Sequence, residues 1–140
     1  MENSVLQISK EFINRIYSHS KRDYPYECCG ILIGDFETRK VEEILEANNL
    51  RKDREDRFEI APEDLLKGEK IARDRSMDVI GYYHSHPDHP DEPSEYDRAR
   101  AFPGMSYIIV SVLKGKETLS RSWILSEKDF QFQEEKINIT

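Results

Sequence analysis

The sequence lacks three features that would each define a broad class of protein. No apolar run approaches the ~18 residues of a membrane-spanning helix, and the first residues have neither the basic stretch nor the apolar segment of a secretory signal. Basic residues are outnumbered, 21 Lys and Arg against 28 Asp and Glu, and the longest basic cluster, residues 51–54, is interrupted by an acid. We therefore expect a cytoplasmic protein that binds neither a membrane nor nucleic acid.

Cysteine is also scarce, since the chain has only two, and these are the neighbours Cys28 and Cys29. A disulfide between adjacent residues closes almost no loop and would contribute little to stability. Reduced thiols in a cytosol fit this pattern better. Because both cysteines belong to a short apolar segment, we expect them to be buried strand residues and not nucleophiles.

The length and the apolar pattern predict one mixed α/β domain over residues 1–140. A chain of 140 residues can bury roughly 68–70% of its unfolded surface, which is enough for a core without disulfides or a structural metal. Short apolar or alternating segments predict strands. They cover residues 28–33, 41–47, 79–83, 107–113, 118–125 and 130–139. The acids in the second segment favour a position at the edge of the sheet.

Three helices are predicted from their first residues. Ser9 and Ser94 can cap helices, and Pro62 suits the first position of another. The buried side of the middle helix is predicted to carry three apolar residues, Leu65, Leu66 and Ile71. The polar residues 48–58 are predicted to form a loop. Two histidines are expected at the surface, His19 and His89.

The segment from residue 81 to residue 97 contains side chains that bind metals. His84 and His86 lie two apart, just beyond an apolar strand, so an extended backbone directs both imidazoles to one side. Asp97 follows 11 residues after His86 in the first turn of the next helix, and the proline-rich loop between them is long enough to bring its carboxylate back. Two histidines and one carboxylate leave a fourth position for water, as in catalytic zinc sites.

Such a site also needs a group that accepts a proton from the water. Glu27 is the candidate general base because it immediately precedes the apolar strand at residues 28–33, which would hold it beside the sheet.

Each of these residues also has a structural interpretation. Histidines in loops are often merely solvated. Glu27 taken alone is an acidic residue near a turn, and most such residues have no catalytic function. Ser94 and Asp97 have the spacing of a capping box, in which the two side chains close the start of a helix. Other acids of the intervening loop are alternative ligands: Asp88, Asp91 and Glu92.

Taken together, the residues resemble the JAMM, or MPN+, metallopeptidases of the Mov34/MPN/PAD-1 type. The family pattern is a glutamate on an early element, then His-Ser/Thr-His-Pro, then a serine and an aspartate at fixed intervals. The sequence matches this pattern at Glu27, at residues 84–87, at Ser94 and at Asp97. Flanking segments also resemble the prokaryotic branch, so the similarity covers roughly residues 5 to 125.

The resemblance implies a cytidine-deaminase-like α/β fold, in which a curved mixed sheet is flanked by helices. It implies that His84, His86 and Asp97 hold one Zn²⁺ per chain, with water as the fourth ligand. It further implies that Glu27 deprotonates that water and later protonates the leaving amine, and that Ser94 hydrogen-bonds the oxyanion.

The family cleaves amide or isopeptide bonds after the C-terminal tail of ubiquitin or a ubiquitin-like protein. The sequence is most similar to prokaryotic members that act on small β-grasp sulfur carriers, among them peptidases that release cysteine from the carrier. The resemblance therefore implies a partner that ends in Gly-Gly and either bears cysteine or is linked to a lysine. It leaves the oligomeric state open.

Three other functions compete with this one. A catalytically silent MPN-type scaffold would bind partners without a metal, and a peptidase could also act on ordinary short peptides. A zinc nucleobase deaminase requires H-x-E followed by P-C-x-x-C, which the sequence does not contain. The zinc content of the purified protein would distinguish the scaffold from the enzyme.

Overall fold

The computed structural model describes residues 4–140. These residues form seven strands and three helices. The elements in chain order are β1 Val5–Ile8, α1 Lys10–Asp23, β2 Cys29–Asp35, β3 Lys40–Ala47, α2 Pro62–Asp74, β4 Asp78–Pro87, α3 Glu95–Arg100, β5 Ser106–Leu113, β6 Glu117–Leu125 and β7 Phe132–Ile139. The four-residue strand β1 was not predicted, because so short a segment has no distinct pattern.

The strands form one mixed sheet in the order β1-β3-β2-β4-β5-β6-β7. The sheet closes on itself because β1 pairs in parallel with β7 and, through Gln7 and Lys40, with β3. The central pair β4–β5 is parallel, and β2 pairs with both β3 and β4 in antiparallel fashion. The predicted mixed sheet with flanking helices is confirmed. The edge position predicted for residues 41–47 is wrong, since β3 lies between β1 and β2.

Helix α1 covers one face of the sheet. Ser9 caps it, as predicted, by accepting a hydrogen bond from the Phe12 N–H at 3.1 Å. Ile13 and Ile16 point inward and are at most 3% exposed, and burying such a side chain contributes about 1.5–3 kcal/mol. The predicted surface position of His19 is wrong. It lies on the same inward side of α1 and is 3% exposed.

Helix α2 begins at Pro62, as predicted, but it faces the sheet with small residues. Gly68 and Ala72 are its buried positions, whereas Leu65 is 37% and Leu66 72% exposed. The helix approaches so closely that a Cβ on Gly68 would lie 2.9 Å from the Ile31 Cδ1. The prediction that Leu65 and Leu66 form the buried side is therefore wrong, because close approach selects small side chains. No helix among residues 4–140 is both long and apolar enough to cross a membrane.

Candidate metal centre

The two histidines of the motif lie inside β4 and not beyond its end. His84 pairs with Cys29 of β2 on one side and with Ile109 of β5 on the other. A strand with neighbours on both sides is firmly positioned. Alternation along the strand places both imidazoles on one face, where the two Nε2 atoms are 3.1 Å apart. The expected common direction of His84 and His86 is therefore present in the structure.

Asp97 reaches the histidine pair from the first turn of α3. Its Oδ1 lies 3.2 Å from His84 Nε2, and its Oδ2 lies 3.0 Å from His86 Nε2. The Ser94 N–H donates to the same Oδ2 at 3.0 Å, and the Asp97 N–H donates to Ser94 Oγ at 3.1 Å. The capping box and the approach to the histidines thus occur together, since the cap holds the carboxylate in place.

These atoms favour a positive charge between them, supplied by a metal ion or by a proton on an imidazole. His86 Nδ1 donates to the Pro90 carbonyl oxygen at 2.8 Å, so in the neutral ring Nε2 carries a lone pair. This lone pair faces a carboxylate oxygen, and both atoms are acceptors. In a tetrahedral zinc site with bonds of ~2.0–2.1 Å, neighbouring ligand atoms lie about 3.3 Å apart. The observed separations of 3.0, 3.1 and 3.2 Å therefore fit a bound zinc ion.

The protonation of the three groups follows from the same contacts. Burial lowers the pKa of His84, although the charge of Asp97 opposes this shift. Burial also disfavours charge on His86, but its hydrogen bond to Asp97 and the Asp97 charge outweigh burial and raise the pKa. The histidine pair holds the pKa of Asp97 well below its usual range despite the burial of the carboxylate. A proton on His86 thus stabilises the three groups when no metal is bound.

Glu27 lies immediately before β2, next to the histidines. The following residue, Cys28, is bound at both ends to Ser85 of β4: the Cys28 N–H donates to Ser85 Oγ at 2.8 Å, and the Ser85 N–H donates to the Cys28 carbonyl at 3.2 Å. Asn49 Nδ2 donates to the Glu27 carbonyl at 2.9 Å. These contacts fix the backbone at the carbonyl of Glu27 and at the residue after it.

The carboxyl of Glu27 is buried and close to the metal-binding atoms. The side chain is 5% exposed, and burial raises its pKa to about 8. One oxygen lies within 4.8 Å of a nitrogen of His84 and of His86, so these three residues could also hold an ion. Asp97 is the better third ligand, because its oxygens lie at 3.0 and 3.2 Å from the two nitrogens. The Glu27 carboxyl then lies beside the three groups without being needed as a ligand.

The alternative acidic ligands of the loop are bound elsewhere. Asp88 accepts hydrogen bonds from the Tyr24 hydroxyl at 2.6 Å and from the Lys114 N–H at 2.7 Å. Asp91 and Glu92 both accept from a single arginine of β6, Arg121. These three carboxylates thus have hydrogen-bond partners outside the histidine pair.

The thiols are not part of the centre. Cys28 and Cys29 are fully buried, as the sequence predicts. Burial raises the pKa of Cys28 to about 11 and raises that of Cys29 still further. Thiolate nucleophiles require the opposite shift.

Residues distant in sequence complete the site and were not predicted. The Phe58 ring stacks on the His84 imidazole with 4.4 Å between centroids. Asn49 is 9% exposed and fastens the loop after β3 to the Glu27 segment. Nothing local in the sequence distinguishes these residues from others in a polar loop. A cavity of about 320 Å³ opens beside the histidines, lined among others by Glu27, His86 and Ser94.

Comparison with known proteins gives a family for this fold and site. Residues 9–126 match the family model described as prokaryotic homologs of the JAB domain. The desampylase of Haloferax volcanii is 33% identical over 116 residues, which cover 79% of this chain and 84% of that protein. The CysO-cysteine peptidase of Mycobacterium tuberculosis is 27% identical, with 76% and 73% of the two chains covered.

A solved structure has the same architecture. Protein DSY2949 from Desulfitobacterium hafniense superimposes with a TM-score of 0.84 at 28% identity, over 96% of this chain and 92% of that one. Together with the family match, this similarity confirms the fold that the motif implied. The chain belongs to the family of prokaryotic homologs of the JAB domain, the prokaryotic branch of the JAMM peptidases, and is a peptidase or isopeptidase.

Proposed function

We propose that this protein is a zinc-dependent hydrolase that cleaves an amide or isopeptide bond after the C-terminal tail of a small ubiquitin-like or sulfur-carrier protein. The proposal depends chiefly on one observation. The Nε2 atoms of His84 and His86 and the carboxylate oxygens of Asp97 converge at separations of 3.0–3.2 Å, close to those between neighbouring ligand atoms around one zinc ion. Three protein ligands around one ion would leave a fourth position for water.

Zinc held by His84, His86 and Asp97 would lower the pKa of water toward ~7 and polarise the scissile carbonyl. His86 keeps its metal-binding nitrogen aimed inward because its other nitrogen donates to Pro90. His84 is oriented by its place in β4 and by the Phe58 ring.

Glu27 is suited to carry the proton. Hydrolysis breaks the C–N bond, joins the oxygen of water to the carbonyl carbon and gives a proton to the leaving nitrogen. Glu27 accepts that proton from the attacking water and returns it to the amine. Without metal, burial raises its pKa to about 8; a bound cation would lower that pKa and favour the carboxylate, which can then take up a proton from water and release it to the amine.

Ser94 can stabilise the charge that develops on the carbonyl oxygen. Its Oγ already accepts a hydrogen bond from the Asp97 N–H, so its own hydrogen remains available to a substrate. The side chain is exposed in the cavity that Glu27 also lines. One hydroxyl thus caps α3 and donates to the oxyanion, so the structural and functional interpretations of Ser94 are compatible.

The relatives support a carrier protein as the substrate. One is named a desampylase and another a CysO-cysteine peptidase, and both names agree with hydrolysis at the end of a small carrier. We infer a β-grasp protein with a Gly-Gly tail, linked there to cysteine or to a lysine.

The test uses the zinc-loaded protein and β-grasp carriers ending in Gly-Gly, joined to cysteine or to a lysine side chain. Mass spectrometry should show release of the intact carrier by the wild type. Glu27→Gln should bind zinc but lose turnover, whereas Glu92→Gln, at the exposed rim of the same cavity, should retain it. Full turnover by Glu27→Gln would remove Glu27 as the base. A protein with neither zinc nor turnover would be a scaffold.

A further inference from the structure

An arginine stands beside the candidate general base. Arg57 lines the same cavity as Glu27 and Ser94. Its guanidinium lies over the ring of Tyr96, 4.4 Å from the centroid, and Tyr96 stands in the chain between Ser94 and Asp97. The Tyr96 hydroxyl donates to the Phe58 carbonyl at 3.1 Å. The ring that supports the guanidinium is therefore part of the first turn that presents Asp97.

The backbone of Arg57 is fastened to that of Glu27 through one side chain. Asn49 Nδ2 donates both to the Glu27 carbonyl at 2.9 Å and to the Arg57 carbonyl at 3.1 Å. Its Oδ1 accepts from the Glu59 N–H at 3.0 Å. This buried amide holds the loop and the Glu27 segment at a fixed separation, so Arg57 is positioned before any substrate binds.

Arg57 pairs with one acid, Asp56, which it shares with a second arginine, and Asp56 and Glu92 also line the cavity. Asp56 receives two hydrogen bonds from Arg54, each 2.9 Å long, and lies 3.4 Å from an Arg57 nitrogen. Glu92 is bound by Arg121 at 3.1 Å. Over residues 4–140 the Arg57 guanidinium donates one hydrogen bond, to the Asp56 carbonyl, out of five N–H donors. A partly paired guanidinium with spare N–H donors thus belongs to a residue that lines the cavity.

The position of this cation distinguishes between leaving groups. The leaving nitrogen must approach Glu27 to receive its proton. In a carrier joined to a single amino acid, the carbon next to that nitrogen also bears a free carboxylate, which a guanidinium binds well. In a carrier joined to a protein lysine, the leaving nitrogen is followed by the uncharged methylene chain of the lysine. The carboxyl group of that lysine forms a main-chain amide and carries no charge.

We propose that Arg57 is a specificity-determining residue that binds the carboxylate of a single α-amino acid released from the carrier. This inference rests on the proposed function and narrows it. Among the two kinds of conjugate, the enzyme prefers a carrier extended by one amino acid to a carrier linked through a lysine side chain.

The test compares three conjugates of one β-grasp carrier ending in Gly-Gly. The carrier bears cysteine, cysteinamide or the side chain of an Nα-acetyl-lysinamide, so the first and second differ only in the carboxylate. The zinc-loaded wild type should cleave the cysteine conjugate with a kcat/KM about ten- to a hundred-fold above that of the cysteinamide conjugate, as expected for a charge-assisted hydrogen bond.

Arg57→Gln should lower kcat/KM for the cysteine conjugate by the same factor and leave the cysteinamide conjugate unchanged. Arg57→Lys should retain part of the preference. Arg100→Gln is the matched control: Arg100 lies over the same Tyr96 ring at 4.6 Å, but it pairs with Glu59 and lines a different cavity. It should keep the full preference, and all three variants should bind zinc like the wild type.

Equal cleavage of the cysteine and cysteinamide conjugates by the wild type would overturn the inference. An equal loss of kcat/KM for the cysteine and cysteinamide conjugates in Arg57→Gln would also overturn it. So would cleavage of the lysine conjugate by the wild type as fast as that of the cysteine conjugate. If no conjugate is cleaved, the proposed hydrolase function fails, and calorimetry decides about Arg57 separately. Tighter binding of acetyl-Gly-Gly-Cys than of its amide, lost in Arg57→Gln, would uphold the carboxylate site, and equal binding would refute it.

Discussion

Glu27 should destabilise the metal-free protein at neutral pH. Its carboxyl group is 5% exposed, and over residues 4–140 no arginine or lysine forms an ion pair with it. Ionising the Glu27 carboxyl in the folded protein therefore costs more free energy than ionising it in the unfolded chain. Glu27→Gln removes the charge and keeps the shape, so the variant should be more stable than the wild type once metal is removed.

The size and the pH range of this effect follow from the pKa. Burial raises the pKa of Glu27 from 4.5 to about 8. A carboxyl group whose pKa is raised on folding favours the folded state most below pH 4.5, where the group is protonated in both states. This contribution to the unfolding free energy is lost as the pH rises from 4.5 through 8, because the unfolded chain then releases the proton more readily. Each pH unit between these limits is worth about 1.36 kcal/mol, so the wild type should be about 3 kcal/mol less stable than Glu27→Gln at pH 7. The difference should vanish near pH 4.5.

The assay is urea denaturation of both proteins in a chelator at several pH values between 4.5 and 8, the range between the two pKa values. Glu92→Gln is the control, because it makes the same chemical change at a side chain that is 62% exposed. In the presence of zinc the advantage of Glu27→Gln should shrink, since a nearby cation favours the ionised carboxylate. A stability difference that is the same at all pH values would refute the reasoning.

Three further predictions concern the other residues of the site. Ser94→Ala should lose about 1 kcal/mol of unfolding free energy with its cap and about 10²–10³-fold in kcat with its oxyanion donor, whereas Ser94→Thr should retain most of both; an unchanged kcat in Ser94→Ala would exclude the donor role. Asp97→Asn should lose zinc by elemental analysis, because a neutral amide cannot replace the carboxylate between the two imidazoles, and full zinc content would argue against Asp97 as a ligand. A double Cys28→Ala, Cys29→Ala variant should be less stable in urea but equally active per folded molecule, and a large loss of kcat would give the thiols a role.

The sequence predicts well where local patterns decide the structure. The stripe of α1 and the cap at Ser9 are set within one or two helical turns. The common direction of His84 and His86 follows from strand alternation alone, whichever neighbours the strand has. The capping pair Ser94 and Asp97 is equally local, and the structure contains it.

Predictions failed where the answer depends on distant parts of the chain. The buried side of α2 is decided by the sheet below it, which allows Gly68 to approach and leaves Leu66 in solvent. His19 is an ordinary polar residue in the sequence, but in the fold it meets the Tyr83 hydroxyl at 2.7 Å. The Asn49 side chain donates to Glu27, which precedes it in the chain, and to Arg57, which follows it. No short sequence pattern predicts these two contacts.

The central claim is that His84, His86 and Asp97 hold one zinc ion beside Glu27. Anomalous diffraction from crystals of the zinc-loaded protein tests it most directly. We expect one peak per chain, at ~2.0–2.2 Å from both Nε2 atoms and from an oxygen of Asp97, with the Glu27 carboxyl outside that distance. A peak at another site, or one bound by Glu27 in place of Asp97, would contradict the account.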